Sequence, residues 1–261
     1  MKKKRMPVLF VGHGSPMNAI EDNAYSRAWS ALGESLERPE AILSVSAHWF
    51  GRGTRVNDSP TPAMIYDMYG FPEELYRVQY PAPGSPELAH KARALLGDFV
   101  TVDNGWGIDH GTWSVLRRVF PKADIPLVQL SINAALTPAE HYALGERLRP
   151  VRDEGVLLLG SGNIVHNLSR VDWRMAGGQP WAEEFDQYIL GAVQRRSHED
   201  AIFYERAGEA ALLAVPSMDH YAPLLYVLGA SDEEDAIRVF NDDCTLGSVS
   251  MTSYLFSRQA G

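Results

Sequence analysis

The sequence predicts an α/β fold: a single domain with a central, largely parallel or mixed β-sheet flanked by helices. Three observations lead there. Short apolar runs alternate along the chain with amphipathic stretches of helical spacing. Several of those stretches open on residues suited to cap a helix. No Gly/Ser run, Pro-rich spacer or internal repeat divides the 261 residues, a length one core can serve. The expected domain spans 1–261.

Taken in order, the run 8–11 (VLFV) halts at Gly12-His13-Gly14-Ser15-Pro16, as a buried strand halts at a turn. A helix over 23–36 and a strand over 42–46 follow. Residues 51–84 form a long segment rich in Pro, Tyr and Phe, and a loop of that length in a compact domain usually has a function. Its YDMYGFPEELYRVQYPAPG stretch is read as a lid over a small-molecule pocket, with a packed surface loop as the alternative. Ser85-Pro86 supplies an N-cap and an N1 proline for a helix over 85–96, and Thr137-Pro138 does so for 138–149. Further strands are expected over 99–102, 127–132 and 156–159, and further helices over 112–120 and 181–195. In the tail, 237–240 and 249–256 add strands.

The net charge of −9 opposes phosphate binding and excludes nucleic acid as the main partner. The basic start Lys2-Lys3-Lys4-Arg5 is not followed by a signal-peptide core, and no run reaches the length of a membrane span. Cys244 is the single cysteine, so a thiolate metal cage is excluded and a buried, inert thiol is expected. A cytoplasmic protein is the expectation.

The eight histidines carry the chemistry. His90, His141 and His198 sit in or beside expected helices among charged residues and read as solvated. His13, His48 and His166 instead follow apolar runs, so three strands aim an imidazole at one sheet edge, where α/β folds bind ligands. His110 and His220 precede expected helices. A lone histidine after a strand is usually structural; repetition toward one edge favours a metal, for which neutral imidazole is the commonest ligand. The glycines flanking His13 are read as allowing close approach to that ion. Three nitrogens with open positions suit catalytic Zn(II) or non-haem Fe(II). The residues alone reach a metal-dependent enzyme.

The segments FVGHGSPMNAIEDN, VSAHWF, YGFPEELYRVQYPAPGSPELA, GIDHGTWSVL, VQLSI, LGSGNIVHNL and DHYAPLLYVLGA, in this order and across nearly the whole chain, resemble the class III extradiol ring-cleaving dioxygenases, closest to the 4,5-DOPA branch. The resemblance implies a catechol ring opened with dioxygen, from DOPA to 4,5-seco-DOPA. It implies one divalent ion, Fe(II) for activity, with Zn(II) expected in isolated protein. It places His13, His48 and His220 as metal ligands and His166 as catalytic base and fourth ligand. It makes His110 a catalytic hydrogen-bonding and proton-donating group beside the substrate. Partners are then a small catechol and O2, with the oligomeric state left open.

Around this set, Asp109 and Asp219 are read as helix caps in preference to imidazole-orienting groups. Ser161 and Asn163 are read as lining the crevice near His166. Arg52, Arg55 and Arg77 are candidates for a substrate carboxylate, and Trp49, Trp106 and Trp113 are read as packing. Two other functions use the same histidines: a zinc-dependent hydrolase or lyase, which consumes no dioxygen, and a non-catalytic Memo-like binding protein, against which His110 and His166 argue.

Overall fold

The computed structural model describes residues 4–258. The strands are β1 (Val8–Gly12), β2 (Ala41–Gly51), β3 (Arg55–Val56), β4 (Thr101–Val102), β5 (Leu127–Asn133), β6 (Val156–Gly162), β7 (Asp235–Phe240), β8 (Cys244–Thr245), β9 (Val249–Ser250) and β10 (Ser253–Arg258). The α-helices are α1 (Ala24–Ser35), α2 (Glu73–Tyr76), α3 (Pro86–Leu96), α4 (His110–Val119), α5 (Pro138–Leu148), α6 (Pro180–Gln194), α7 (His198–Ile202), α8 (Glu209–Ala214) and α9 (Ala222–Ala230).

The main sheet runs β4-β3-β5-β2-β6-β1-β10-β7. Its centre, β5-β2-β6-β1, is parallel, while β10 and β7 add an antiparallel edge and β3 pairs antiparallel with β5. The sheet is therefore mixed, with a parallel heart. Strand alternation sends Val8 and Phe10 into one core and Leu9 and Val11 into the other. Residues of α3, α5, α6, α8 and α9 cover the first face. The second is covered by α1, α4 and the 64–82 segment. Burial on both faces explains the continuous apolar runs in the sequence.

The caps at Ser85 and Thr137 form as expected: Ser85 Oγ accepts from Leu88 N at 3.2 Å, and Thr137 with Glu140 completes a capping box. Four expectations change. The 99–102 strand shrinks to the edge pair Thr101–Val102, and Phe99 is exposed. The 112–120 helix begins two residues earlier, so His110 lies in its first turn. The 249–256 strand is broken at Met251 and Thr252 into β9 and β10. The segment 51–84 is no free lid, because Met68, Leu75, Val78, Tyr80 and Ala82 belong to the second core. Among the described residues no helix is long and apolar enough to cross a membrane.

Candidate metal centre

The parallel strands β1, β2 and β6 end side by side, and the backbone N of His13 donates to Gly162 O at 3.0 Å. His13 thus leaves β1 beside the exit of β6. His48 lies inside β2, where register with β5 slips: Val45 faces Leu130, yet Phe50 already faces Ile132. The bulge turns this part of the strand toward the crevice. His220 arrives just before α9, with its backbone carbonyl held by Asn163 N at 2.9 Å.

The three rings face one another almost symmetrically. Their centroids are 5.0 Å apart for His13–His48, 5.2 Å for His13–His220 and 5.1 Å for His48–His220. Three imidazoles held tetrahedrally at 2.0–2.1 Å from one ion would have centroids about 5.2 Å apart. Their hydrogen-bond partners point the same way. Ser161 Oγ donates to Gly111 O at 2.6 Å, so it can only accept from His13 Nδ1 at 2.9 Å. His48 Nδ1 lies 3.0 Å from Asp67 Oδ2, and a carboxylate accepts. Both Nε2 atoms are left bare, 3.2 Å apart. Two facing lone pairs at that distance call for a cation between them. Neither His220 nitrogen has a hydrogen-bond partner among the described residues, although Nδ1 lies 3.1 Å from Asp219 Oδ2. The residues present fit a divalent ion.

By nitrogen distance alone, the set lying within 4.8 Å of one another among the described residues is not His13, His48 and His220 but His13, His48 and His110. The His110 ring centroid, however, lies 3.8 Å from that of His48 and 5.9 Å from that of His13. Spanning one ion at those separations takes angles of about 73° and 136° for 2.0–2.1 Å bonds, far from the regular arrangement of the first three rings. His166 stacks flat on His220, with centroids 3.4 Å apart and planes 6° from parallel. A nitrogen lone pair lies in its ring plane. Two parallel planes share no point, so these rings do not both aim at one ion in this arrangement.

Electrostatics separate the group. Burial, and then the neighbouring imidazoles, push His13 and His220 well below the ordinary histidine value. Burial and then His48 lower His110, and burial takes His166 down to about 4. His48 is also pulled down by burial, but contact with Asp67 and the charges of Asp109, Asp67 and Asp219 outweigh this and raise it. Those carboxylates favour positive charge at His48, which a bound metal would supply.

Asp67 escapes a reading of the sequence. Backbone pairing of Ile65 N with Ile108 O and of Ile108 N with Ala63 O lays its segment beside His110. Its carboxylate lies 3.0 Å from Nδ1 of both His48 and His110 and also accepts the His110 backbone N–H at 3.0 Å. Burial opposes its charge, but the two histidines hold it well below the usual carboxylate range. The one signal available was its place in the YDMYGFP stretch.

Several expectations are corrected here. Asp219 caps no helix; it faces its neighbour His220, and the N-cap of α9 is Tyr221. Asp109 does cap α4, accepting from Thr112 N at 3.2 Å, and also accepts from Ser46 Oγ at 2.7 Å and Trp106 Nε1 at 3.2 Å. Ser161 serves His13, not His166, and Asn163 Nδ2 donates to Ser250 O at 2.7 Å. The glycines beside His13 make room for Met251: a Cβ on Gly12 would stand 2.7 Å from its backbone carbon, and Gly14, at φ +56°, would strike its sulfur. His141 is not solvated but fully buried, its Nδ1 3.4 Å from Tyr226 OH. His198 is half-buried against Tyr142 OH at 3.0 Å, and His90 is exposed. Arg55 is paired with Asp103 and Arg77 with Glu73, while Arg52 is exposed. Trp113 is a core residue; Trp49 and Trp106 stack at 6.4 Å. Cys244 is buried, and burial pushes its thiol well up.

Residues 8–256 match the family described as the catalytic LigB subunit of aromatic ring-opening dioxygenase. The chain is 47% identical over 97% of its length, and 95% of the relative's, to the 4,5-DOPA dioxygenase extradiol of Escherichia coli K12. It is 38% identical to the Beta vulgaris protein of that name, over 95% of each chain. A crystal structure of an uncharacterized E. coli K12 protein, 43% identical, superposes with a TM-score of 0.83 over 96% of this chain and 99% of its own. With residues 8–256 matched to the family and the fold shared, the chain belongs to the LigB family of extradiol, aromatic ring-opening dioxygenases.

Proposed function

We propose that this enzyme opens the ring of a catechol beside its two hydroxyls, and that its substrate is of the DOPA type. The observation that carries the reading is the near-equilateral triangle of the His13, His48 and His220 rings, with the Nε2 atoms of His13 and His48 facing each other and His110 and His166 beside it. Support for the substrate class comes from the relatives' names. In this reading His13, His48 and His220 hold the ion, and His166 is a base, not a fourth ligand. Fe(II), when bound, supplies the electron path between diol and dioxygen and acidifies the diol.

The chain's own residues handle the protons. His166, with its value near 4, is neutral at working pH and has a free lone pair to accept a hydroxyl proton. Stacking on His220 fixes its plane beside the ligand set. His110 has Asp67 behind Nδ1, so an imidazolium formed there is stabilised and can return its proton to the opening ring. Burial of His110 and His220 excludes bulk water from those transfers.

Iron reconstitution under reducing conditions, followed by DOPA or caffeate in air, should give oxygen uptake and a yellow product, and neither should occur anaerobically. Iron-loaded protein that consumes no oxygen across a catechol panel would overturn the reading. Replacing His13, His48 or His220 by Ala should remove iron and turnover together. His110→Ala and His166→Ala should keep iron and lose about 10²–10⁴ in rate.

A further inference from the structure

We infer that Asp67 is a positioning residue with two ends: one carboxylate sets the tautomer of a metal ligand, His48, and of a proton-handling group, His110. The inference rests on the metal-centre reading above but not on the identity of the substrate. Oδ2 is 3.0 Å from His48 Nδ1, and Oδ1 is 3.0 Å from His110 Nδ1. Oδ1 also takes the His110 backbone N–H at 3.0 Å, which fixes the carboxylate relative to the first turn of α4. The side chain is largely buried, at 12% exposure, so water does not compete freely for either oxygen.

A carboxylate only accepts. The carboxylate's charge therefore favours hydrogen on both Nδ1 atoms 3.0 Å away, although His110 Nδ1 lies off hydrogen-bond geometry, and in the neutral rings this leaves both Nε2 atoms bare. For His48 that is the form that binds a metal. For His110 the consequence is sharper. The nitrogen it has left for the crevice is an acceptor, so the ring enters the reaction without a proton to give and must first gain one. A diol carries two protons. With His166 and His110 both starting as acceptors, one proton can go to each, and both can be returned to the product. The rings lie 3.8 Å apart, centroid to centroid, so a single anchor controls both.

Asp67→Asn separates the two ends, because an amide offers one acceptor oxygen and one donor nitrogen. At most one histidine can keep its Nδ1–H toward residue 67, and the other must change tautomer or lose the contact. Long-range ¹H–¹⁵N NMR of ¹⁵N-histidine-labelled, zinc-loaded protein reads this without substrate or oxygen. In the wild type both His48 and His110 should show protonated Nδ1. In Asp67→Asn, His48 keeps Nδ1–H because zinc occupies its Nε2, and His110 should move its hydrogen to Nε2. Zinc competition against a chelator of known affinity supplies the second measurement. Asp67→Ala should weaken binding 10–100-fold, while His110→Gln stays within about twofold of wild type. A wild-type His110 protonated on Nε2 with Nδ1 bare, or an Asp67→Ala protein that binds zinc like wild type, would overturn the inference. Wild-type protein that binds no zinc would instead overturn the metal-centre reading. Should the residue-67 variants fail to fold, the wild-type tautomers alone decide.

Discussion

The hydroxyl of Ser161 is a one-atom lock on His13, and Ser161→Ala removes it. Oγ donates to Gly111 O at 2.6 Å and receives His13 Nδ1–H at 2.9 Å, all within the buried end of β6. The alanine leaves one acceptor and one donor unpaired in the interior, at about 1–3 kcal/mol each. With partial relaxation the metal-free fold should lose about 2–4 kcal/mol. His13 also becomes free to place its hydrogen on Nε2, the nitrogen that faces His48. Loss of a group that orients a metal-ligating imidazole weakens metal binding 10–100-fold, or about 1.4–2.7 kcal/mol. Urea unfolding in excess chelator measures the first quantity, and zinc competition at pH 7 measures the second. Ser114→Ala is the control, since that buried hydroxyl on α4 has no hydrogen-bond partner among the described residues and its loss is expected to leave zinc affinity unchanged. A folded Ser161→Ala protein with wild-type zinc affinity would refute the argument that this hydroxyl sets the His13 tautomer.

Other expectations test the surrounding structure. His141 titrates near 4 because it is buried, below its unfolded value of about 6.5, so the unfolded chain takes up its proton first as pH falls. Stability from this group is complete above about pH 6.5 and declines as pH falls toward about 4, by up to about 1.4 kcal/mol per pH unit. In metal-free protein, His141→Gln should flatten that acid slope in urea titrations; an unchanged slope would count against a buried neutral His141. Gly111→Ala places a Cβ 2.8 Å from His48 Cδ2 and from Ser46 Oγ, so it should displace the His48 ring and lower metal affinity in a chain that still folds, read by chelator competition beside circular dichroism. Arg152 forms a fully buried pair with Asp235, with nitrogen–oxygen distances of 2.7 and 2.8 Å, and Asp235→Ala should cost about 3–5 kcal/mol in urea unfolding because it strands the guanidinium.

Legibility in the sequence followed the reach of each interaction. The centre of the sheet was plain, because strands buried on both faces are continuous apolar runs ending in turns. His13 and His48 could be singled out because strand exits share an edge. His220 could not be ranked by pattern: α9 is buried on all sides and shows no polar face to define its start. Asp67 was hidden for another reason. It is one of 33 acidic residues, on an irregular segment, and what distinguishes it is a backbone pairing with residue 108 across the fold. Ser161 stands out in the sequence, but proximity pairs it with the wrong histidine. Proximity in sequence favoured His166, whereas the side chain of a β-strand residue reaches the neighbouring strand, here β1. His141 misled through its charged neighbours, since α5 turns that position against α9.

The placement of β6 between β1 and β2 has a consequence for how the enzyme matures. His13 and His48 leave the ribosome early, but the strand that brings their own strands into one sheet ends at Gly162, and His220 emerges later still. At 5–20 residues per second, roughly 10–40 s separate synthesis of the first and last donors. If these imidazoles are the donors, the complete set exists only after His220 has been made, so a full site cannot form earlier on the nascent chain. The finished polypeptide then takes its ion from whatever the surroundings supply, and nitrogen donors favour the later, tighter-binding transition elements over ferrous iron. Conditions of production, as much as the amino acids, would decide whether an isolated batch is active.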